Sequence, residues 1–246
     1  MMKLLKISTI IVLLLPFFCL SQSKKAPAKS KSGKKTSSAV FRQKDNVPAL
    51  IPHKKGNKLG YVNQQKKYVV QPIYDIAMFF SEDCNLLNSK NEAARKYGTA
   101  NFATVEQNKI VYRINAAGKR VYTYRSEDLG LCREPYKPQK YNAYILDGKY
   151  GIIDREKFKD PNDKSQYTVY PQYQYLFILE GKDYEHPMII AADNDRFGVI
   201  DINNKVIVPL QYHDIKRNYS WKIAGLFEVT KDDKTYFYID TDNKAY

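Results

Sequence analysis

The sequence has little of what an enzyme or a disulfide-rich domain needs. Of its 246 residues only three are Cys, three are His and one is Trp. The motifs of nucleophile elbows, zinc proteases and phosphate-binding loops do not occur. His53, His186 and His213 fall in separate segments without metal-ligand spacing. We therefore predict no catalytic residue, no cofactor and no metal site, and interpret the protein as a non-enzyme.

The first 21 residues are typical of a secretory signal peptide. Two lysines precede an apolar run over residues 7–18, which is shorter than the roughly 20 residues of a membrane-spanning helix. Small residues then allow cleavage after Ser21, whereas Phe18 before Cys19 disfavours a lipoprotein signal. We expect an exported protein that is periplasmic, outer-membrane-associated or secreted, rather than a lipoprotein.

Residues 22–47 are rich in Lys, Ser and Ala and show no apolar periodicity, so we predict a disordered basic arm. Ten Lys and Arg residues precede Asp45, the first acidic residue, and they supply most of the net charge of +14. The stretch Lys24–Lys35 is suited to an acidic polymer or an anionic membrane surface. A plain spacer is the alternative. Because the charge belongs to the arm, the folded part is not predicted to bind nucleic acid.

The rest of the chain, residues 48–246, is built from an internal repeat. Four segments follow nearly the same order of residue types: 58–63, 149–154, 196–201 and 236–240. A basic residue, a large apolar residue, usually Gly, two strand formers and then Asn or Asp succeed one another, and the last segment lacks the basic residue. Polar turns with Asn or Asp first and Lys fifth occupy residues 63–67, 115–119, 201–205 and 240–244. Such turns favour a positive φ at their fourth residue.

A second strand follows each turn and ends at a tyrosine. The spacing is 14 residues from Gly60 to Tyr74 and again from Gly198 to Tyr212. A copy with Gly151 and Tyr173 is lengthened by a charged insertion. With a tight polar turn before each Gly segment, the unit is predicted to be a three-stranded meander. We interpret the repeated Gly and Tyr as packing residues, with Gly marking a bulge or a close approach of another backbone.

This pattern resembles the WG-repeat family, whose unit carries an aromatic–Gly pair, an Asn/Asp turn with Gly-Lys and a Pro-x-Tyr-Asp segment. The tryptophan of that unit is replaced by Leu59, Tyr150 and Phe197, and the Gly is missing at Tyr112 and Phe237. The resemblance implies an all-β array of repeats with an interaction role and brings no catalytic site. We predict an open twisted array, with a closed propeller-like ring as the alternative.

Two features bear on function and cross-linking. Tyr219 and Trp221 lie in a loop that the repeat pattern does not explain, so they are the predicted interaction surface. We expect a binding or scaffold role towards another envelope protein, with binding of a carbohydrate or surface polymer as the alternative.

For Cys84 and Cys132, a disulfide and two separate thiols both remain open.

Overall fold

The computed structural model describes residues 47–133 and 137–246. The predicted signal peptide and almost all of the predicted arm lie outside the described residues. Within the described ranges seventeen β-strands form five antiparallel sheets. Sheet 1 contains β1 (Ile51–Lys55), β2 (Lys58–Val62) and β3 (Tyr68–Tyr74). Sheet 2 contains β4 (Ile76–Phe80), β5 (Ala103–Gln107), β6 (Ile110–Ile114) and β7 (Arg120–Thr123).

The remaining three sheets follow in chain order. Sheet 3 contains β8 (Tyr141–Leu146), β9 (Lys149–Asp154) and β10 (Tyr167–Tyr173). Sheet 4 contains β11 (Tyr175–Ile178), β12 (Ile189–Asp193), β13 (Arg196–Ile200) and β14 (Val206–Tyr212). Sheet 5 contains β15 (Asp214–Ile215), β16 (Phe227–Thr230) and β17 (Tyr236–Ile239).

Helices in the described residues are short. They are α1 (Cys84–Leu87), α2 (Glu92–Arg95) and α3 (Ser220–Ala224), with 3₁₀ turns at Lys96–Gly98, Ser126–Asp128 and Lys164–Gln166. In the described part of the chain, none of the helices has the length and apolar character that crossing a bilayer would require. The chain is all-β, as predicted.

The predicted meander is confirmed, and a fourth strand is added to it in two sheets. In sheets 2 and 4 the first strand, β4 or β11, begins two residues after the tyrosine that ends the preceding repeat. The chain therefore turns a corner at Asp75 or Gln174 and joins the next sheet at once. A similar corner at His213 leads into β15. Only an isolated bridge between Ile239 and Ala245 follows β17.

Each repeat glycine faces a bulge of the third strand in its own sheet. The register jumps from Phe197 opposite Tyr212 to Val199 opposite Val208, so three residues face Gly198. The same jump occurs at Gly60 and Gly151. A Cβ added to Gly198 would lie 2.5 Å from the Val208 carbonyl oxygen, far inside van der Waals contact. The close approach thus comes from the third strand of the same repeat.

The polar turns are stabilised in one way throughout. The side-chain oxygen of Asn63 accepts hydrogen bonds from the backbone N–H groups two and four residues later, at 3.0 and 2.9 Å. Asn115, Asp201 and Asp240 do the same in the other copies. The fourth residue of each turn has the expected positive φ, and these residues are Lys66, Gly118, Asn204 and Asn243. Lys66 takes this conformation without being Gly or Asn.

The repeated tyrosines tie each repeat to the following one. The hydroxyl groups of Tyr173 and Tyr212 donate to the Oδ1 atoms of Asn204 and Asn243, at 2.7 and 2.5 Å. The Tyr74 hydroxyl reaches the Gly118 carbonyl oxygen at 3.3 Å. In every case the partner is the fourth turn residue of the next repeat. The same tyrosine therefore ends a strand and fixes the position of the next sheet.

Buried apolar clusters give the spatial order of the sheets. One cluster joins sheets 1 and 2, a second joins sheets 3 and 4, and a third joins sheets 4 and 5. A fourth brings Ile51 and Val62 of sheet 1 together with Leu226 and Tyr246 beside sheet 5. Among the described residues no such cluster joins sheets 2 and 3. Phe79 of sheet 2 belongs to this fourth cluster as well. Sheets 3, 4 and 5 therefore follow one another, and sheets 1 and 2 lie together beyond sheet 5, in an open array rather than a closed ring.

Sheet 2 carries a helical insertion that the sequence analysis did not predict. It runs from β4 to β5 and contains α1 and α2, whose first turns are capped by the side chains of Asp83 and Asn91. The insertion covers the face of sheet 2 opposite sheet 1, where Tyr97 stacks on Tyr122 with ring centroids 5.2 Å apart. Terminal repeats of an array need such a cover for their outer face.

Cys84 of α1 and Cys132 form a disulfide, which resolves the alternatives that the sequence left open. Their Cα atoms lie 5.4 Å apart and are separated by 48 residues in the chain. The Gly130 N–H also donates to the Asn85 carbonyl oxygen at 2.8 Å. The bond fastens the segment after β7 to the helical insertion.

Arg113 of β6 lies between sheet 2 and the same insertion and is only 1% exposed. Its guanidinium donates to the carbonyl oxygens of Tyr97, Ser81 and Thr99 at 2.8 to 3.0 Å, and to the Thr104 hydroxyl at 3.0 Å. Neutral oxygens thus satisfy a buried charge, which would otherwise be costly.

Candidate binding surface around helix α3

The segment predicted as a loop around Tyr219 and Trp221 contains helix α3, so the loop assignment was wrong. The helix begins after Tyr219 and ends at Gly225, whose φ of 64° suits a glycine. The Ser220 N–H donates to the Asn218 side chain at 3.1 Å, and the Ser220 hydroxyl donates to the Leu226 carbonyl oxygen at 2.9 Å. These bonds fix both ends of a helix too short to be stable alone.

The two predicted surface residues have different environments. Trp221 stacks on Phe227 with ring centroids 4.7 Å apart and an interplanar angle of 5°, and it packs against the core between sheets 4 and 5. Tyr219 is 60% exposed, with the Lys222 ammonium 5.8 Å from its ring centroid. Trp221 therefore anchors α3, while Tyr219 is presented to solvent.

Further apolar side chains near Tyr219 are also exposed. Ile223, four residues later on α3, is 43% exposed. The helix packs on β4, where Ala224 and Phe79 share a buried cluster, and Met78 of that strand is 55% exposed. Tyr219 and Ile223 are called the α3 surface below. Sequence reasoning missed Ile223, although the spacing of four between Tyr219 and Ile223 is a helical signal.

A groove with a cavity volume of about 320 Å³ lies beside Trp221. Its charged groups are largely paired, because Lys222 binds Glu180 at 2.6 Å and His186 lies 3.0 Å from Asp183. The hydrogen bond from His186 lowers the pKa of the Asp183 carboxyl. The groove is therefore lined by the Trp221 ring and by side chains that carry both positive and negative charge.

The described residues bring no reactive groups together at this surface. The three histidines lie in different repeats, and each has its own partner: His53 contacts Tyr68, His186 contacts Asp183 and His213 contacts Asp233. Over residues 47–133 and 137–246, no group of three or more His, Cys, Asp or Glu side chains is placed to hold a metal ion.

Comparison with known proteins finds a match to a family of repeats. The family model described as WG containing repeat matches residues 60–86 and 197–234, which include Gly60 with Tyr74 and Gly198 with Tyr212. No curated protein and no solved structure matches the chain. Both matched segments contain the glycine, the bulge and the corner tyrosine, which also occur together in the unmatched repeat with Gly151 and Tyr173. The chain therefore contains two segments that are similar to the WG containing repeat, and the repeats between and beyond them follow the same pattern less closely.

Proposed function

We propose that this protein is an exported binding or scaffold module that contacts another protein of the cell envelope through the α3 surface, without catalysis. The observation that carries the proposal is the exposure of Tyr219 on a helix that Trp221 anchors to the core. An aromatic residue on a rigid support contributes contact area at low entropic cost, and Tyr and Met are enriched at interfaces. Ile223, one helical turn later, extends the contact area.

Two observations support the export part of this proposal. The N-terminal 21 residues are typical of a signal peptide, although they lie outside the described residues. The Cys84–Cys132 disulfide belongs to a chemistry that persists in oxidising compartments such as the periplasm or the cell exterior.

A pull-down from the native envelope fraction tests the proposal. The baits are residues 22–246 and residues 45–246, each tested at low and at high salt. Each bait is prepared with the unchanged sequence, with Tyr219→Ala and, as the control, with Tyr170→Ala. Tyr170 is 40% exposed on sheet 3, away from α3. We expect one protein to be retained by both baits at both salts, lost with Tyr219→Ala and kept with Tyr170→Ala. Equal retention by the two variants contradicts the role of α3.

The basic arm supports a second candidate function, the binding of an acidic carbohydrate polymer or an anionic membrane surface through Lys24–Lys35. Such binding depends on exposed charges and weakens steeply with salt. In the same experiment it would appear as capture by residues 22–246 alone, lost at high salt. That result assigns the function to the arm and leaves the repeats as a scaffold.

A further inference from the structure

A cleft with a cavity volume of about 290 Å³ lies between sheets 1 and 5. One wall is the β1–β2 hairpin and the other includes β17, with Tyr246 between them. These two sheets share a buried cluster, but they are separated by most of the chain and no corner joins them. The lining has no residue in common with the groove beside Trp221.

The two carboxylates that line this cleft already have partners. Glu228 accepts hydrogen bonds from Lys216 at 2.5 Å and from the Asn218 amide at 2.6 Å. Asp75 pairs with Lys58 and accepts from the Asn108 N–H, and these bonds lower the pKa of its carboxyl. Both carboxylates are therefore paired with lysines of the protein itself.

Two further lysines of the lining have no such partner. Lys54 on β1 and Lys234 before β17 are exposed, and neither makes an ion pair with any described residue. After pairing, the cleft therefore keeps two ammonium groups and no unpaired carboxylate. Its charge favours an anionic ligand.

The rest of the lining is aromatic and neutral. Tyr236 and Tyr238 of β17 are half-buried, and the Asn57 side chain supplies both an amide donor and an acceptor. Burial and the nearby Lys66 lower the pKa of the half-buried His53, which favours its neutral form near pH 7. Aromatic rings with polar groups at their edge suit the C–H face and the hydroxyl groups of a sugar ring.

We propose that this cleft binds an acidic saccharide, with the sugar carboxylate at Lys54 and Lys234 and a ring face against the β17 tyrosines. The cavity volume is at the small end of ligand sites and accommodates one or two sugar units. A bound saccharide contacts sheets 1 and 5 together, so it also stabilises the contact that no corner supports. The site is separate from the α3 surface and does not depend on the function proposed for it.

Isothermal titration calorimetry of the full-length protein with a galacturonic acid disaccharide tests this site. The neutral galactose disaccharide and inorganic phosphate serve as comparison ligands. The test variant is Lys54→Gln/Lys234→Gln. The matched control is Lys67→Gln/Lys205→Gln, which removes two exposed lysines from polar turns outside the cleft. Circular dichroism checks that both variants fold.

We expect the acidic disaccharide to bind the unchanged protein and the control variant with equal affinity. Its affinity for the cleft variant should be at least tenfold lower, and so should the affinity of the unchanged protein for the neutral disaccharide. The midpoint temperature of thermal unfolding, Tm, should rise by about 5 °C when the ligand concentration is a hundred times Kd. The rise should be smaller in the cleft variant. Unchanged affinity in the cleft variant overturns the proposal. So does the absence of binding at a disaccharide concentration of about 10 mM, which is on the order of the Kd of weak sugar binding. Equal affinity for phosphate overturns the saccharide assignment.

Discussion

Repeat 4, in sheet 4, and repeat 2, in sheet 2, are held together by different means. Repeat 4 has Gly198, the bulge opposite it and the corner tyrosine Tyr212, whose hydroxyl reaches the next repeat. Repeat 2 has Tyr112 in the glycine position, no comparable three-residue bulge and no corner after β7. Instead it has a helical insertion, a disulfide and the buried Arg113.

The difference shows what the repeat signature contributes. Where glycine, bulge and tyrosine are present, the chain passes directly into the next sheet and the two sheets pack together. Where they are missing, no corner leads from sheet 2 into the next sheet, and among the described residues no buried cluster joins sheets 2 and 3. Local cross-links then stabilise the outer face that no neighbouring repeat covers.

The largest expected effect comes from Gly198→Ala. The new Cβ would lie 2.5 Å from the Val208 carbonyl oxygen and 2.8 Å from the Leu210 nitrogen, both backbone atoms, so the bulge must open. We expect the free energy of unfolding to fall by about 3 kcal/mol, measured by urea denaturation.

Gly148→Ala is the matched control for that variant. Nothing lies within 4 Å of an added Cβ there, and only the positive φ of 74° opposes alanine. That strain costs about 1 kcal/mol. If the two variants lose the same stability, the close approach is not the reason for glycine at position 198.

Cys84→Ser/Cys132→Ser tests the cross-link of repeat 2. Because the bond closes a loop of 48 residues, its loss should lower the free energy of unfolding by about 2 to 4 kcal/mol. Hydrogen exchange should show the loss in α1, α2 and sheet 2, with sheet 4 still protected. Dithiothreitol should weaken the unchanged protein in the same way and leave the variant unaffected; a loss spread evenly over all sheets would contradict this assignment.

Tyr212→Phe removes only the hydroxyl that links repeat 4 to repeat 5. The bond to Asn243 is 2.5 Å long and part-buried, so its loss should cost about 1 kcal/mol. Tyr219→Phe is the control, since that ring is 60% exposed, and it should be neutral. Chemical denaturation of both variants measures the difference, and a neutral Tyr212→Phe would mean that ring packing alone joins the sheets.

The smallest expected effect is an alkaline sensitivity of repeat 2. Burial, together with the hydrogen bond to Asp83, raises the pKa of Tyr124 to about 12 from its ordinary 10.0. Its contribution to stability is complete below pH 10, where the unfolded phenol is neutral, and is lost as pH rises from 10 towards 12. At pH 11 the loss is below about 1 kcal/mol after solvent screening.

Denaturation curves at pH 8, 10 and 11 measure this loss. Tyr124→Phe should remove that part of the pH dependence, because phenylalanine cannot ionise. An unchanged pH profile in the variant would show that other tyrosines carry the effect.

Much of the repeat architecture was predictable because it depends on neighbours in sequence. The meander, the Asn/Asp turns and the positive φ at Gly118, Asn204 and Asn243 follow from residue types within one repeat. The glycine was correctly linked to a close backbone approach, although the partner is the third strand of the same repeat. Tyr219 was chosen because the repeat pattern did not explain its segment, and it is exposed.

Other features depend on contacts between distant parts of the chain. The caps Asp83 and Asn91 are visible in the sequence, but helices of four residues leave no periodic pattern. The pairing of Cys84 with Cys132 and the anchoring of Trp221 on Phe227 each require the folded neighbours to be known. The exposure of Ile223 and Met78 could not be read from their residue types.

The sequence by itself determined the repeat unit, because strands, turns and the glycine bulge obey steric and hydrogen-bonding rules that act over a few residues. Only the tertiary structure decided which sheets are neighbours, which face of sheet 2 the insertion covers and where the cleft between sheets 1 and 5 lies. These depend on which apolar faces bury each other, and burial is non-directional and independent of separation along the chain. The same repeat unit is compatible with several such arrangements, and packing selects among them.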